Sequence, residues 1–174
     1  AAIRAGKHVV TANKALLAVH GNEIFAAARQ HGVAVAYEGA VAVSIPIVKE
    51  LREGLTANRI EWVAGIINGT TNFILSKMRD EGLGFAEALS QAQALGYAEA
   101  DPTFDIEGID AAHKITLLAA NAFGMPVRFA DAQVEGITRL QGLDVACAEQ
   151  LGYRIKLLGV ARRRKDAAAG AEVD

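Results

Sequence analysis

The sequence has few of the features that mark secreted, membrane-spanning or nucleic-acid-binding proteins. Its 174 residues include one cysteine, Cys147, which excludes an internal disulfide framework and suits a reducing cytoplasm. It contains no apolar run of about 18 residues, the length of a transmembrane helix, and no signal-peptide pattern at its start. The formal net charge of −2 gives no reason to expect nucleic acid or an anionic membrane as a partner. We expect a cytoplasmic protein.

The four histidines lack the spacing of metal ligands, so we predict no transition-metal site. Hydrophobic residues make up 52% of the chain, which fits a globular protein large enough to bury a core.

The chain begins without methionine, in a segment typical of a last helical turn closed by Gly6. It ends in a tail (163–174) that opens within the basic run Arg162–Lys165 and is alanine-rich after Asp166. We therefore expect an internal piece of a longer protein.

The first forty residues have the pattern of a parallel βαβ unit. Two short, β-branched and apolar runs, His8–Ala12 and Val33–Tyr37, predict buried strands. The segment between them, Ala15–Gln30, predicts a helix, and two strands joined in this way lie parallel. In doubly wound sheets, ligands bind at the carboxyl ends of the strands. The polar residues at those ends are Asn13, Lys14 and Glu38.

The sequence changes in character near residue 44, and the remainder predicts an α+β domain in which helices cover one sheet. Ser44, with Pro46 two residues later, is typical of a helix N-cap, and this helix is expected to end at Gly54. The predicted strands are Arg59–Ile67, Gln133–Ile137 and Arg154–Ala161. The other predicted helices are Phe73–Arg79, Phe85–Leu95, Leu143–Gln150 and a long apolar helix that ends at Asn121.

An acidic stretch directly precedes the long apolar helix. Its five carboxylates lie within twelve residues and are Glu99, Asp101, Asp105, Glu107 and Asp110. Asp110 and Lys114 are four residues apart, so on a helix both project from the same face. Because the residues after Lys114 are almost all apolar, the two charges must open onto a polar cavity or pair closely. Such a pair suits proton transfer, and a solvated surface salt bridge is the alternative.

Five segments together resemble the homoserine dehydrogenase family, and they occur in that family's order and spacing over residues 3–160. They are Val10–Leu16 (VTANKAL), Tyr37–Ala42 (YEGAVA), Gly65–Leu75 (GIINGTTNFIL), Leu95–Pro102 (LGYAEADP), and Gly108-Ile109-Asp110 with Lys114. The resemblance implies an oxidoreductase that reduces aspartate 4-semialdehyde to homoserine with NADPH or NADH, in the biosynthesis of threonine, methionine and isoleucine. It also implies a homodimer or a higher homo-oligomer.

The resemblance implies substrate-directed roles for four residues. Lys114 corresponds to the proton donor, and Asp110 corresponds to the carboxylate that holds the substrate and orients this lysine. Glu99 corresponds to a substrate-binding carboxylate suited to the ammonium group of an amino acid. Asp105 is a further substrate-binding candidate. The plainer alternative is an ordinary loop acid for Glu99 and structural support for Asp105.

The resemblance also implies a cofactor side and a cation site. Lys14, beside Asn13, corresponds to a second active-site lysine near the nicotinamide, and Gly96 lets the backbone approach the cofactor closely. A solvated lysine and an ordinary C′ glycine are the alternatives.

Backbone carbonyls are expected to hold a monovalent cation, Na⁺ or K⁺. The ligand positions carried over from the family are Glu38, Val41, Val43 and Ile45. Because Val43-Ser44 stands where the family has Gly-Gly, this loop is expected to run differently.

The domain organisation follows from the same resemblance. Residues 1–40 are expected to be the C-terminal part of a Rossmann NAD(P)-binding domain, and residues 41–162 a substrate-binding, catalytic and dimerisation domain. No G-x-G-x-x-G motif occurs, so the pyrophosphate-binding turn is expected before residue 1 and the isolated segment is expected to be inactive. Two alternatives stay open: a related two-domain amino-acid dehydrogenase with another substrate, and a dimerisation module without chemistry of its own.

Overall fold

The structure is a computed structural model that describes residues 1–163. The alanine-rich tail lies outside the described residues except for Arg163, and so does the end of the basic run. The chain divides into two compact units, which are described separately. The first unit comprises Ala1–Ala64, His113–Ala132 and the residues from Val160 onward. The second unit comprises Gly65–Ala112 and Gln133–Gly159.

The first unit opens with the predicted parallel βαβ arrangement. Strands β1 (Val9–Val10) and β2 (Val35–Ala36) pair in parallel, and helix α1 (Lys14–Gln30) connects them. Gly32 follows α1 with a left-handed φ of 62°, which confirms the predicted helix end. Both strands are shorter than predicted. Val10 is 87% exposed rather than buried, because within the described residues this sheet has two strands that leave one face uncovered.

Helices complete the first unit. Helix α2 (Glu38–Val41) is followed by α3 (Ile47–Lys49), which continues as the π-helical turn Glu50–Gly54. Helix α7 (Ile109–Phe123) contributes its residues from His113 onward. The buried apolar side chains of this unit include Leu17, Tyr37, Val41, Val48, Leu51, Leu117, Leu118 and Phe123.

A second sheet pairs strand β3 (Trp62–Gly65) with strand β4 (Gly159–Arg162). Both strands are shorter than the segments predicted for them. Exposure alternates along β3, and the side chain of Trp62 lies on its exposed face. Trp62 is 61% exposed and Ile66 is also exposed, whereas Val63 lies half-buried. The sheet therefore presents an apolar face to its surroundings.

The second unit is built mainly from helices. These are α4 (Gly69–Asp80), α5 (Phe85–Ala94), α6 (Thr103–Ile106), the first residues of α7, and α8 (Gly142–Gln150). The predictions for α5 and α8 are confirmed to within one residue at each end. The core of the unit contains Ile74, Leu75, Met78, Ala88, Ala92, Ala98, Ile137 and Val145. Across the described part of the chain, no helix combines the length and apolar character needed to cross a membrane.

The predicted strand Gln133–Ile137 does not form. This segment instead packs against the backbone between α6 and α7, where the Ile137 N–H donates a hydrogen bond to the carbonyl oxygen of Ile106 at 2.8 Å. Within the described residues the segment pairs with no neighbouring strand, so it stays irregular. It nevertheless braces the turn that leads into α7.

Candidate active site

One asparagine side chain joins two of the predicted site carboxylates in the second unit. The Nδ2 amide of Asn68 donates hydrogen bonds to Oδ1 of Asp105 at 2.6 Å and to Oδ2 of Asp110 at 2.9 Å. Asn68 and Asp110 are each 5% exposed, and Asp105 is half-buried. Because buried polar groups cost free energy unless they are hydrogen-bonded, these contacts stabilise a polar cluster within the unit.

Helix ends place these three side chains. Asn68 is the N-cap of α4, where its Oδ1 accepts a hydrogen bond from the Thr71 N–H at 2.8 Å. Asp105 lies in the short helix α6, and Asp110 lies in the first turn of α7. Between these helices Gly108 adopts a left-handed φ of 81°, which lets the chain turn from one helix into the next.

Lys114 lies on α7, one turn after Asp110 and on the same side of the helix. Lys114 is half-buried. The helix continues into the predicted apolar run, of which Ile115, Leu117 and Leu118 are buried. It ends at Phe123 rather than Asn121, and Gly124 follows with a φ of 65°. The prediction of an apolar helix that carries both charged residues near its start is confirmed.

The loop that carries Gly96 and Glu99 is held in place by two side chains of the second unit. The Thr70 hydroxyl donates a hydrogen bond to the Tyr97 carbonyl at 2.7 Å, and Gln93 Nε2 donates one to the Glu99 carbonyl at 3.1 Å. Gly96 has a φ of 76°, and no atom lies within 4 Å of the place a Cβ would occupy. The backbone at Glu99 is thus fixed, and its carboxylate is exposed.

Asp101 has a local structural role. Its Oδ1 accepts hydrogen bonds from the Thr103 hydroxyl at 2.6 Å and from the Thr103 N–H at 3.1 Å. Both hydrogen bonds favour the ionised carboxylate, so they lower the pKa of Asp101 below its ordinary value. The hydrogen bond from the hydroxyl contributes more than the one from the N–H. This carboxylate stabilises the turn that leads into α6.

In the first unit, the two polar residues predicted at the end of β1 begin helix α1. Asn13 is the N-cap, because its Oδ1 accepts a hydrogen bond from the Leu16 N–H at 3.0 Å. Lys14 is the first residue of the helix and is half-buried. Their position at the carboxyl end of a parallel strand is confirmed, and their roles toward a cofactor stay predictions.

The segment predicted to bind a cation differs from the prediction at Ser44. Ser44 is not a helix N-cap; it adopts a φ of 66°, and α3 begins at Ile47. The Glu38 carboxylate meets the start of α3 instead, accepting hydrogen bonds from the Val48 N–H at 2.7 Å and the Lys49 N–H at 2.9 Å. The carboxylate has two acceptor oxygens, so it can accept one hydrogen bond from each of these two N–H groups. A serine hydroxyl has a single oxygen and is the poorer acceptor for two N–H groups at once.

Sequence reasoning missed three residues that organise the second unit. Asn68 had no role beyond its place in the family-like segment Gly65–Leu75, and Thr70 and Gln93 were not identified as supports of the Glu99 loop. The capping position of Asn68 has a local signal, since asparagine before a helical run is a common N-cap. Its hydrogen bonds to Asp105 and Asp110, which are distant in the sequence, have no such local signal.

The two predicted acids that the structure brings together directly are Asp105 and Asp110. Within the described residues, no group of three or more histidine, cysteine, aspartate or glutamate side chains is arranged to hold a metal ion. A site built from backbone carbonyls would not require such a group. The paired carboxylates of Asp105 and Asp110 suit the binding of a positively charged group.

Family models match almost the whole chain. The model described as homoserine dehydrogenase matches residues 46–174, and the model described as the NAD-binding domain of homoserine dehydrogenase matches residues 1–38. The chain belongs to the homoserine dehydrogenase family. This confirms the resemblance carried by the five sequence segments.

Individual homoserine dehydrogenases agree with this assignment. The chain is 68% identical to the protein of Pseudomonas aeruginosa over 93% of its own length and 37% of that protein. It is 64% identical to the Neisseria gonorrhoeae protein over the same shares of the two chains. A crystal structure from Thiobacillus denitrificans matches with a TM-score of 0.93 at 67% identity, over 98% of this chain and 39% of that one. The predicted α/β fold class is thereby confirmed.

A more distant relative carries a cofactor. The structure of a hyperthermophilic archaeal homoserine dehydrogenase in complex with NADPH matches with a TM-score of 0.73 at 32% identity, over 80% of this chain and 43% of that one. This chain therefore spans a little under half of that structure, and a little over a third of the curated relatives above.

Proposed function

We propose that the full-length protein containing this chain catalyses the reversible NAD(P)H-dependent reduction of L-aspartate 4-semialdehyde to L-homoserine. This step belongs to the biosynthesis of threonine, methionine and isoleucine. Family membership supports the reaction class. The observation that carries the proposal is the Asn68-linked pair Asp105 and Asp110, one helical turn before Lys114. Two carboxylates and an ammonium group suit a substrate that bears both an ammonium group and a reacting oxygen.

Each proposed substrate-directed residue has a separate task. The nicotinamide cofactor, when bound, supplies the hydride in one direction and accepts it in the other. Lys114 stabilises the negative charge that grows on the substrate oxygen and gives it a proton. Asp110 orients Lys114 and holds the substrate. Glu99 binds the substrate ammonium group, and Asp105 supports this binding.

Three residues are proposed to face the cofactor. Asn13 and Lys14 stand at the carboxyl end of β1, where doubly wound sheets bind nucleotides. Gly96 leaves open space where a side chain would project, so backbone can approach a ligand there. We propose NADP or NAD as the cofactor, bound by the whole protein, and we expect the isolated chain to be inactive.

We also propose a monovalent cation, Na⁺ or K⁺, on backbone carbonyls of Glu38, Val41, Val43 and Ile45. The donor set fits such an ion, because carbonyl oxygens are hard, neutral ligands. The carbonyls of Glu38 and Ile45 each accept one hydrogen bond, from the Ala42 N–H and the Ile47 N–H. Each keeps a second lone pair. The positive φ of Ser44 supplies the left-handed turn that a glycine would otherwise allow.

The remaining proposals concern organisation. Residues 1–40 form part of the NAD(P)-binding domain, and residues 41–162 form the substrate-binding and dimerisation domain. The exposed apolar face around Trp62 and Val160 supports a homodimer or a higher homo-oligomer. The protein is proposed to act in the cytoplasm.

Homoserine-dependent formation of reduced nicotinamide by the full-length protein tests the proposed function. We expect turnover with homoserine and none with serine or threonine. A protein that binds NADPH but leaves homoserine unchanged would support the related dehydrogenase with another substrate. If homoserine does not stabilise the protein against unfolding either, the chain serves as an interaction module, because a bound ligand raises stability by RT ln(1 + [L]/Kd).

A further inference from the structure

Asn68 makes every hydrogen bond that its side chain can make. Its two amide protons go to Asp105 and Asp110. Its Oδ1 accepts from the backbone N–H and from the hydroxyl of Thr71, both at 2.8 Å. An asparagine amide has two donors and an oxygen with two lone pairs, so the side chain is saturated. Because the side chain is also buried, its orientation is fixed by the partners of its nitrogen and by those of its oxygen.

We propose that Asn68 is a positioning residue that holds the carboxylates of Asp105 and Asp110 in one arrangement for homoserine. The inference rests on the proposed function. One nitrogen lies within 3 Å of an oxygen from each carboxylate, so the two acids are kept close together. Two like charges at this separation repel each other, and a donor shared between them offsets that repulsion.

The capping role alone does not require asparagine. Serine and aspartate are equally good N-caps, because each offers an oxygen to the backbone N–H of the first turn. Serine, however, has no group that could donate to both carboxylates. Aspartate would add a third negative charge beside them. The residue type at position 68 is therefore explained by the two acids rather than by the helix.

The arrangement connects the start of α4 to the start of α7. The cap fixes the Asn68 side chain on α4, and its amide fixes the carboxylate of Asp110 one turn before Lys114. Loss of the amide removes the one donor that both carboxylates share. We expect this to weaken substrate binding and proton transfer while the fold persists.

Asn68→Ser and Asn68→Asp in the full-length protein test the inference, with Thr71→Val as the matched control. Both Asn68 variants keep a capping oxygen and lose the shared donor. Thr71→Val removes one hydrogen bond to Oδ1 and leaves the amide in place. We expect the Asn68 variants to lower kcat/KM for homoserine by roughly 10- to 100-fold, the range for lost hydrogen bonds to charged groups and misplaced catalytic groups. The KM for the nicotinamide cofactor should stay within about twofold.

The control separates positioning from stability. We expect Thr71→Val to lower the Tm and to reduce kcat/KM much less than Asn68→Ser does, because the Asn68 amide and the hydrogen bond from the residue 71 N–H stay in place. Asn68→Ser should have a smaller effect in an Asp105→Ala background than in the wild type, because one of the two carboxylates that Asn68 positions is already absent. The inference is overturned if Asn68→Ser retains wild-type kcat/KM, or if Thr71→Val loses as much activity as Asn68→Ser. If the wild-type protein does not oxidise homoserine, the proposed function fails first and the inference falls with it.

Discussion

Gly136 lies so close to Ile106 that a Cβ atom on the glycine would stand 2.4 Å from the carbonyl oxygen of Ile106. Real side chains do not approach backbone atoms this closely. The next residue, Ile137, donates its N–H to the same carbonyl. The backbone of Gly136 and Ile137 therefore packs directly against the backbone of the turn that positions Asp105 and Asp110.

Gly136→Ala is predicted to destabilise the protein by about 1 to 3 kcal/mol, the usual cost of overpacking. Because the neighbouring atoms belong to the backbone, they cannot move aside without shifting the turn before α7. Urea unfolding of the full-length protein measures the loss. The shift should also lower kcat/KM for homoserine.

Gly142→Ala is the matched control, because no atom lies within 4 Å of the corresponding Cβ position and the residue begins α8. Alanine has the higher helix propensity, so this variant should be as stable as the wild type or slightly more so. Equal destabilisation by the two variants would contradict the packing account.

Glu38→Ala is predicted to cost about 0.5 to 2 kcal/mol, the range for loss of a helix-capping group. The variant leaves the N–H groups of Val48 and Lys49 without their acceptor. Glu38→Gln should cost less, since its side-chain oxygen still accepts one bond. Thermal unfolding compares the two, and a glutamine variant as unstable as the alanine variant would refute the capping role.

Asp101 is predicted to contribute pH-dependent stability. Its pKa is lower in the folded protein than its ordinary value, so the contribution is present above the unfolded-state pKa of about 4. It is lost as the pH falls through the folded-state pKa. Asp101→Asn keeps an acceptor for Thr103 but does not titrate. The Tm difference between wild type and this variant should therefore shrink below about pH 4, and a constant difference would contradict the assignment.

Helices with strong local signals were predictable from the sequence. In α1 and α5 an apolar periodicity ends at Gly32 and Gly96, and both glycines adopt the left-handed conformation that closes a helix. The long apolar helix and the parallel strand pair were predictable for the same reason. Each depends on patterns that lie within one or two segments of the chain.

Features that depend on distant partners were not predictable. Ser44 has the local pattern of an N-cap, but the Glu38 carboxylate reaches the start of α3 and replaces it. Asn68 lies in one of the family-like segments and its capping position has a local signal, but its two acid partners lie 37 and 42 residues away. The candidate acids and lysines came from family resemblance, whereas the side chain that links two of them became visible only in three dimensions.

The most direct test of the central claim is the homoserine oxidation rate of the full-length protein and its Lys114→Ala and Glu99→Ala variants, with the exposed Glu87→Ala as control. The account predicts that Lys114→Ala loses about 10²- to 10⁴-fold in kcat, the range for a lost proton-transfer group. Glu99→Ala should mainly raise the KM for homoserine, and Glu87→Ala should match the wild type. A Lys114→Ala variant that keeps wild-type kcat would contradict the account.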